Sequence, residues 1–350
     1  MKKDIAISIN HFKRGGGMES YTFDLVNQIH ADDHPLHIYA GKFDTSLAEY
    51  GKIQPHLINQ RRIPKKLRPY FFSSQLQKQR QANEYLIACN QSDHADVFVC
   101  GGTHLGYLHH MQQKTGLLDR LAIRRNQSNY QTARLIMAHS GLMKQEITDL
   151  YSIPADKVQV VYPPVNTERF HHDHSQNNEV RQRYGFQPHE TVFLFPSTGH
   201  KRKGLDLLAR FFERTGLPVK LAVAGSPLPR PMKNVVELGF CSNMPELYRA
   251  ADYTIMASLY EPFGLVGIES VLSGTRVVFS DNMACSEVLT PQAGFFFSRS
   301  QAETLAQAIE QAVELKRQGA HKISEPHTVL RYDPTVRYHV NVMYQLLEGL

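Results

Sequence analysis

The chain has 350 residues, of which 42% are hydrophobic and 21% charged, and its formal net charge is +6. This length and composition are typical of a globular protein with two domains that each bury a sizeable core. No apolar run approaches the roughly 18–20 residues of a membrane span, and the first residues resemble a strand rather than a signal peptide. The four cysteines lack metal-binding spacing, so we expect reduced thiols and a cytoplasmic protein.

The excess positive charge lies in the first half of the chain. Lys and Arg outnumber Asp and Glu by 20 to 14 in residues 1–165, whereas each class has 19 members in residues 166–350. A basic half-molecule predicts an anionic partner, such as a membrane surface, a phosphorylated acceptor or a nucleic acid. Nucleic acid is disfavoured, because the basic residues do not alternate with aromatic ones as they do in recognition modules.

The first predicted strand, residues 4–9, is followed by Gly15, Gly16 and Gly17 and then by a helix from Met18. Gly15, Gly17 and Ser20 nearly fit the dinucleotide-binding pattern G-x-G-x-x-G. That pattern also requires an acidic residue about 20 positions later, and none follows the second predicted strand. A dinucleotide site is therefore disfavoured. The glycines either serve another ligand or only form a tight turn, and the sequence leaves both explanations open.

A basic and aromatic segment, Arg61–Phe72, comes next. It places five cations beside three adjacent aromatic residues. Cations suit anionic head groups and aromatic rings suit the membrane boundary, so the segment predicts contact with a membrane surface. The alternative is a solvated loop with a few core aromatics. The charge asymmetry of the chain favours membrane docking.

Further along, a strand over residues 95–100 leads into a loop, Gly101–Gly106, that contains His104.

A Pro- and Asn-containing turn, Pro163–Phe170, predicts a domain boundary, and the polar run His171–His174 is interpreted as a solvated linker rather than a metal site. The predicted domains are residues 1–165 and 166–333, and a helix over 334–350 is expected to return to the first domain.

The second half repeats a strand–helix rhythm, which predicts a second parallel sheet covered on both faces. Its strands are expected at residues 191–195, 219–224, 235–238, 253–257 and 276–279. After the first of them, Thr198 precedes His200-Lys201-Arg202-Lys203-Gly204 at a helix start. Cations there oppose the helix dipole, so their clustering indicates a bound diphosphate.

Residues 253–281 predict a strand, a tight turn, a helix and another strand. Gly264 lets a ligand approach the helix N-terminus, whose unpaired N–H groups suit a phosphate. Glu261 in the turn and Glu269 on the helix frame this position. Carboxylates beside an anion site suit sugar hydroxyls, so a sugar joined to a diphosphate would satisfy both. The alternative is that Glu261 caps the helix and Glu269 is solvated.

Glu261-Pro262-Phe263-Gly264 with Glu269 resembles the signature of two glutamates, separated by seven residues, in retaining glycosyltransferases of family 4. The resemblance implies an α/β fold of the GT-B type, with two Rossmann-like parallel-sheet domains facing a central cleft. The first domain would bind the acceptor and the second the nucleotide-sugar donor. Glu261 would then contact the donor sugar and Glu269 the ribose hydroxyls. Backbone amides of a short run would face the sugar and diphosphate: Phe263, Gly264, Leu265 and Val266.

Lys203-Gly204 resembles the end of the family's Arg…Lys-Gly element, whose cations hold the leaving diphosphate. The Arg usually found five residues before the Lys is Thr198 here, and Arg202 is expected to replace it, as in the lipopolysaccharide-core glucosyltransferase branch. By the same resemblance, the turn with Phe240 and Cys241 meets the nucleobase through backbone groups. The loop Gly15–Gly17 closes on the donor phosphates, Glu19 binds the acceptor, and His104 is a catalytic histidine of the cleft.

The resemblance implies a retaining glycosyltransferase that moves a hexose-type sugar from a nucleotide-diphosphate sugar, with UDP expected, to a glycan or lipid-linked acceptor such as lipopolysaccharide core. No Asp-x-Asp triplet occurs, so we expect no metal cofactor. The protein would work in the cytoplasm, at the cytoplasmic face of the inner membrane. The alternatives are a nucleotide-sugar epimerase on the same fold and a non-catalytic sugar-nucleotide binding protein.

Overall fold

The structure is a computed structural model that describes residues 3–173 and 177–350. The chain divides into two compact units, one formed by Met1–Pro164 with Pro334–Leu350 and the other by Val165–Asp333. The predicted domains ended at residues 165 and 333. His174, the last residue of the predicted linker run, lies outside the described residues.

The first unit is built on a parallel sheet that has seven strands in the described part of the chain, in the order β3-β2-β1-β4-β5-β6-β7. Most of these strands are near-continuous apolar runs, because a parallel sheet is covered on both faces. The strands are β1 Asp4–Ile9, β2 Leu36–Ala40, β3 Gln54–Leu57, β4 Glu84–Ala88, β5 Val97–Cys100, β6 Leu135–Ala138 and β7 Val158–Val160.

The sequence patterns missed β3 and β4. The edge strand β3 contains Pro55 and is mostly exposed, so it lacks the apolar run that identifies a buried strand. The first residue of β4 is Glu84, a carboxylate that is only 1% exposed. Glutamate is rarely buried in proteins, so a segment that begins with Glu84 does not match the pattern expected of a buried strand.

Among the described residues, five α-helices of the first unit precede its last strand: α1 Gly17–Ala31, α2 Arg68–Gln79, α3 His104–His110, α4 Leu117–Thr132 and α5 Gly141–Tyr151. Ser140 caps α5 as predicted from its position, because its hydroxyl accepts a hydrogen bond from the Met143 N–H at 3.0 Å. The buried face of α1, with Tyr21, Leu25 and Val26, packs into the core of this unit.

The basic and aromatic segment Arg61–Phe72 is only partly the surface feature that the sequence predicted. Phe72 is 2% exposed and belongs to the core, whereas Leu67 is 55% and Tyr70 is 44% exposed. The Arg125 guanidinium lies 5.1 Å from the centre of the Tyr70 ring. The aromatic run therefore divides between core and surface, because consecutive positions on α2 point in different directions.

The second unit has a parallel sheet of six strands, counted over the described residues, in the order β10-β9-β8-β11-β12-β13. Its strands are β8 Thr191–Ser197, β9 Val219–Gly225, β10 Val235–Gly239, β11 Tyr253–Met256, β12 Arg276–Ser280 and β13 Gly294–Phe297. Its helices are α6 Asn177–Arg183, α7 His200–Lys203, α8 Leu205–Arg214, α9 Met244–Ala250, α10 Leu265–Leu272 and α11 Ala302–Arg317.

The last helix, α12 (Val336–Glu348), belongs to the first unit. It begins two residues after Pro334 and is capped by Thr335, whose hydroxyl accepts a hydrogen bond from the Tyr338 N–H. His339 is hydrogen-bonded to Tyr21 of α1 at 2.7 Å, and burial lowers the pKa of His339 to about 4. None of the described helices is long and apolar enough to cross a bilayer.

A buried carboxylate, Asp252, organises the amino end of β11. It is 3% exposed and lies 2.8 Å from the Lys316 ammonium, 3.3 Å from the Arg181 guanidinium and 3.2 Å from His321. It also accepts a hydrogen bond from the Val192 N–H at 2.7 Å. Burial by itself raises the pKa of Asp252, but these partners more than offset it and hold that pKa well below its usual range.

We expect Asp252→Asn to lower the free energy of unfolding by about 3 kcal/mol or more, because it leaves buried cations without a counter-charge. Since the folded-state pKa is depressed, this contribution is present above about pH 4 and is lost as the pH falls further. Urea unfolding of both variants between pH 3 and pH 7 measures it. Glu310→Gln, on the exposed face of α11, is the control, and equal stability of the two variants would contradict the expectation.

Candidate active site

The turn between β11 and α10 is held in place by the segment that follows β12. Glu261 forms an isolated parallel bridge with Met283, and the Cys285 N–H donates to the Phe263 carbonyl at 2.7 Å. Gly264 has a φ of 98°, in the left-handed region, and starts α10. Leu265, the first residue of the helix, is partly exposed. The N-terminus of α10 therefore opens at the carboxyl edge of the sheet, as the sequence predicted.

Two residues predicted to act in catalysis, Arg202 and Glu261, form an ion pair. The Arg202 Nη1 donates to Glu261 Oε2 at 2.9 Å and to the Tyr260 carbonyl at 2.7 Å. The side chains are 30% and 14% exposed, so the pair remains accessible to a ligand. They meet because β8 and β11 are neighbours in the sheet, and their carboxyl ends lie side by side.

Lys203 lies next to this pair and donates from Nζ to the Pro196 carbonyl at 2.9 Å. Burial lowers its pKa, the charge of Glu261 opposes this shift, and Arg202 adds to it. The position of the lysine depends on Gly204, which has a φ of 83°. A Cβ on Gly204 would lie 1.9 Å from the Ala257 carbonyl oxygen. Only glycine permits this close approach between α7 and the end of β11.

Glu269 is partly buried and hydrogen-bonded, rather than fully solvated. The Tyr248 hydroxyl donates to Glu269 Oε2 at 2.8 Å. Burial raises the pKa of Glu269, and the Tyr248 hydrogen bond and the charges of Arg169 and Lys203 oppose that rise. Sequence reasoning missed Tyr248, because a buried aromatic residue on α9 resembles an ordinary core position. Tyr248 acts as a positioning residue for the Glu269 carboxylate.

The residues expected to meet the nucleobase and phosphates lie at the same edge of the second sheet. Phe240 follows β10 and is 86% exposed, the highest value among the large hydrophobic side chains of the described residues. The Cys241 sulfur faces the Gly239 carbonyl at 3.5 Å. Thr198 follows β8, is exposed, and its carbonyl accepts a hydrogen bond from the Ser226 hydroxyl at 3.2 Å. Val266 is partly exposed at the start of α10.

The remaining predicted residues belong to the first unit. Gly15, Gly16 and Gly17 are exposed after β1, and α1 begins at Gly17 with Gly16 in an extended conformation as its N-cap. Glu19 lies in the first turn of α1, where the helix dipole favours a carboxylate. A Cβ on Gly15 would lie 3.3 Å from the Glu19 carboxyl carbon. The glycines therefore leave space that the Glu19 side chain partly occupies.

The sequence predicted that His104 lies in a loop. In the structure it is the first residue of α3. Thr103 caps this helix, because its hydroxyl accepts a hydrogen bond from the Gly106 N–H at 3.0 Å. The His104 Nε2 lies 2.9 Å from Asp119 Oδ1 of α4. The capping motif of Thr103 is the local signal for a helix start that the sequence reasoning missed.

His139 is a further histidine at the carboxyl edge of the first sheet that the sequence reasoning did not select. It follows β6, is 6% exposed, and its Nδ1 would lie 3.6 Å from a Cβ on Gly101. Burial, with a smaller contribution from His339, lowers its pKa to about 3, so it is neutral at ordinary pH. The sequence feature that could have identified His139 is its position directly after a buried strand, where the ligand sites of parallel sheets lie.

Comparison with known proteins gives the same assignment for both halves of the chain. A family model described as Glycosyltransferase Family 4 matches residues 15–169, and one described as Glycosyl transferases group 1 matches residues 176–326. A probable transglycosylase of Burkholderia thailandensis is 39% identical over 349 residues, which cover 98% of this chain and 96% of that protein. The chain belongs to glycosyltransferase family 4.

Solved structures of glycosyltransferases share the fold. WaaG, described as involved in lipopolysaccharide biosynthesis, has a TM-score of 0.75 at 14% identity, covering 99% of this chain and 98% of its own. Anabaena HepE, solved with UDP and glucose, has a TM-score of 0.77 at 17% identity, covering 99% of this chain and 100% of its own. The predicted α/β fold of the GT-B type is thereby confirmed, and the protein is a glycosyltransferase.

Gly264→Ala should destabilise the second unit, because a left-handed conformation costs a residue with a side chain about 1–2 kcal/mol. The added Cβ would also lie 3.0 Å from both Glu261 Cγ and Met283 Cε. We expect a loss of about 1–3 kcal/mol in the free energy of unfolding, measured by urea denaturation. Gly216→Ala is the matched control, since nothing lies within 4 Å of its Cβ. Equal stability of the two variants would show that the turn is not strained.

Proposed function

We propose that this glycosyltransferase moves a hexose-type sugar, with retention of anomeric configuration and without a metal, from a UDP-sugar to a glycan or lipid-linked acceptor such as lipopolysaccharide core. The observation that carries the proposal is the group Arg202, Lys203, Glu261 and Glu269 beside the N-terminus of α10. Cations and unpaired N–H groups suit a diphosphate, and the carboxylates suit sugar and ribose hydroxyls.

The cations of the site would act on the leaving group. Arg202 and Lys203, together with the α10 N-terminus, supply positive charge where the departing nucleoside diphosphate gains negative charge. Partial burial strengthens such interactions, because the local dielectric is lower than that of water. Lys203 is already desolvated and fixed on the Pro196 carbonyl, so little reorganisation is needed when the diphosphate binds.

Retention would follow a front-face route, in which the departing phosphate oxygen takes the proton of the acceptor hydroxyl. Glu261 is bound by the Arg202 guanidinium at 2.9 Å, and a carboxylate held by a cation is a poor nucleophile. We therefore assign Glu261 to orienting the donor sugar. His104, paired with Asp119, is proposed as a catalytic histidine, and Glu19 is proposed to bind the acceptor.

The donor assignment rests on the exposed ring of Phe240 and on the positioned carboxylate of Glu269. An aromatic side chain that is 86% exposed offers a stacking surface to a base, and stacking contributes about 1–3 kcal/mol. Glu269, oriented by Tyr248, offers a carboxylate to ribose hydroxyls. HepE, which shares the fold, was solved with UDP and glucose, and this makes UDP-glucose the first donor to test.

The acceptor side is proposed to dock on an anionic membrane surface at the cytoplasmic face of the inner membrane. The docking surface consists of the exposed residues of the predicted segment: Arg61, Arg62, Lys65, Lys66, Leu67 and Tyr70. Cations that are exposed beside an exposed Leu and Tyr match anionic head groups and the membrane boundary. The description of WaaG as involved in lipopolysaccharide biosynthesis supports a lipid-linked acceptor.

A screen for donor binding and slow donor hydrolysis over UDP-, GDP- and ADP-sugars, with and without EDTA, tests the proposal. Release of one sugar, with its anomeric configuration retained and undiminished by EDTA, supports a metal-independent retaining transferase. Release of an isomerised free sugar would instead identify an epimerase. Binding without turnover, even when lipopolysaccharide core is added, would identify a binding protein. Binding of no sugar nucleotide would overturn the proposal.

Lys203→Ala should lower kcat by about 100- to 1,000-fold while weakening donor binding much less, because the charge acts mainly on the leaving group in the transition state. Lys201→Ala is the matched control, since Lys201 lies on the same short helix, carries the same charge and is exposed. Steady-state kinetics and donor titration separate the two effects. Equal losses in kcat and in donor affinity would remove the transition-state role.

The double variant Lys65→Glu/Lys66→Glu should reduce binding to vesicles that contain anionic phosphatidylglycerol by more than about tenfold, because each Lys near such a surface contributes about 1 kcal/mol. Sedimentation with vesicles measures this. The exposed pair Arg210→Glu/Arg214→Glu of α8 is the charge-matched control. If both double variants bind as the unaltered protein does, the docking surface is assigned wrongly.

A further inference from the structure

Three side chains with metal-binding atoms converge on one face of the first sheet. They are His37 of β2, His56 of β3 and Glu84 of β4. The strand register places them on one face, because His37 pairs with Ala6 of β1, His56 with Tyr39, and Glu84 with Asp4. None of the three belongs to the candidate active site.

The atoms of the cluster are close enough to share one ion. His37 Nδ1 lies 2.9 Å from His56 Nε2 and 3.3 Å from Glu84 Oε1, and all three atoms lie within 4.8 Å of one another. His37 is 3% and Glu84 is 1% exposed. Between β2 and β4 lies β1, where the small side chain of Ala6 leaves room for His37 to reach Glu84.

Hydrogen bonding alone satisfies the cluster poorly. His37 Nδ1 faces two atoms at once and carries at most one proton. If it is protonated, it can donate fully to His56 or to Glu84 but not to both. If it is unprotonated, its lone pair faces the Glu84 carboxylate at 3.3 Å in a buried position, which is unfavourable. A cation between the three atoms would give each lone pair a partner.

The surroundings of the cluster resemble the outer ligand shell of a metal site. His37 Nε2, which would carry the proton when Nδ1 binds a metal, lies 3.7 Å from Asp4 Oδ2 and lacks a hydrogen-bond partner among the described residues. A carboxylate behind a ligating histidine fixes its tautomer and orientation. The Tyr39 hydroxyl lies 3.0 Å from Glu84 Oε2 and 3.2 Å from Oε1, and the Gln81 N–H donates to Oε2 at 3.2 Å, so the outer hydrogen bonds fix the carboxylate with Oε1 also facing His37.

We infer that His37, His56 and Glu84 form a Zn²⁺-binding site in the first unit. Zinc prefers imidazole nitrogen and carboxylate oxygen in a tetrahedral arrangement, with bonds of about 2.0–2.2 Å. Such bonds place ligand atoms about 3.3 Å apart. The observed separations of 2.9 and 3.3 Å need small side-chain shifts, and the third separation, which lies within 4.8 Å, has to shorten when the ion binds. The fourth position is open to water beside His56, which is partly exposed.

The ion would stabilise the sheet and take no part in sugar transfer. The edge strand β3 has four residues, one of them Pro55, and among the described strands it pairs with β2 alone. A metal bound by His56 would tie β3 to β2 and β4 across β1. Binding therefore stabilises the folded unit, while the candidate active site, with its own cations, stays independent of this ion.

Calorimetric titration of the full chain, first stripped of metal, with Zn²⁺ tests the site, and Co²⁺ serves as a spectroscopic probe of tetrahedral coordination. We expect one saturable ion for each chain, a tetrahedral Co²⁺ spectrum and a rise in Tm with Zn²⁺. His56→Ala should abolish all three effects, and its partly exposed position on an edge strand favours correct folding, which circular dichroism checks. Asp4→Asn should weaken Zn²⁺ binding by about 10- to 100-fold.

His172→Ala is the control for adventitious Zn²⁺ binding by a surface histidine, because His172 is exposed and lies in the other unit. It should leave the affinity, the Co²⁺ spectrum and the shift in Tm unchanged. The inference is overturned if no saturable binding occurs, or if folded His56→Ala binds Zn²⁺ as tightly as the unaltered chain. Loss of binding in His172→Ala would place the ion elsewhere and would overturn it as well. The site and the proposed metal-free transfer are tested separately, since EDTA should lower Tm without abolishing turnover at temperatures where the chain stays folded.

Discussion

The structure of the second unit depends on close packing at two glycines, Gly204 between α7 and α8 and Gly264 at the start of α10. Gly204 and Gly264 both have positive φ, and both lie where a side chain would collide with neighbouring atoms. These two glycines bring α7 and α10 to the carboxyl edge of the sheet. The cations of one helix and the carboxylates beside the other therefore come within contact distance, although Arg202 and Glu261 are 59 positions apart.

The charged side chains at the two ends of β11 differ in how far they are buried. At the amino end, Asp252 is enclosed by three cationic or protonatable partners and is 3% exposed, so its charge contributes to stability. At the carboxyl end, Arg202 and Glu261 form a pair that solvent can reach. A buried pair is costly to break, whereas an accessible pair can exchange partners with a ligand. The same strand thus separates a structural charge cluster from a candidate catalytic one.

The first unit shows a similar division between its two sheet edges. Its carboxyl edge carries the exposed glycines after β1 and the buried, neutral His139 after β6. Towards its amino edge lie Glu84, the first residue of β4, and His37, the second residue of β2, which reach His56 of β3. Parallel strands place all their carboxyl ends at one edge, so polar residues at the other edge have no role in a site built in the usual position. Their convergence there requires a separate explanation.

The sequence by itself determined the α/β class, the strand–helix alternation and the resemblance to family 4, because these depend on apolar periodicity and on short local motifs such as Glu261-Pro262-Phe263-Gly264. It also predicted a diphosphate-binding role for Lys203 and Arg202, since clustered cations at a helix start oppose the dipole. The strands β3 and β4 were missed because Pro55 and Glu84 break the apolar pattern that periodicity detects.

Only the tertiary structure decided which residues act on one another. The hydrogen bond from Tyr248 to Glu269, the ion pair of Arg202 with Glu261 and the contact of His37 with both His56 and Glu84 join residues far apart in the chain. The burial of Phe72 beside the exposed Tyr70 is likewise set by helix packing. Local patterns carry no information on such pairs, because side-chain contacts between strands and helices follow from sheet order and register rather than from neighbouring residues.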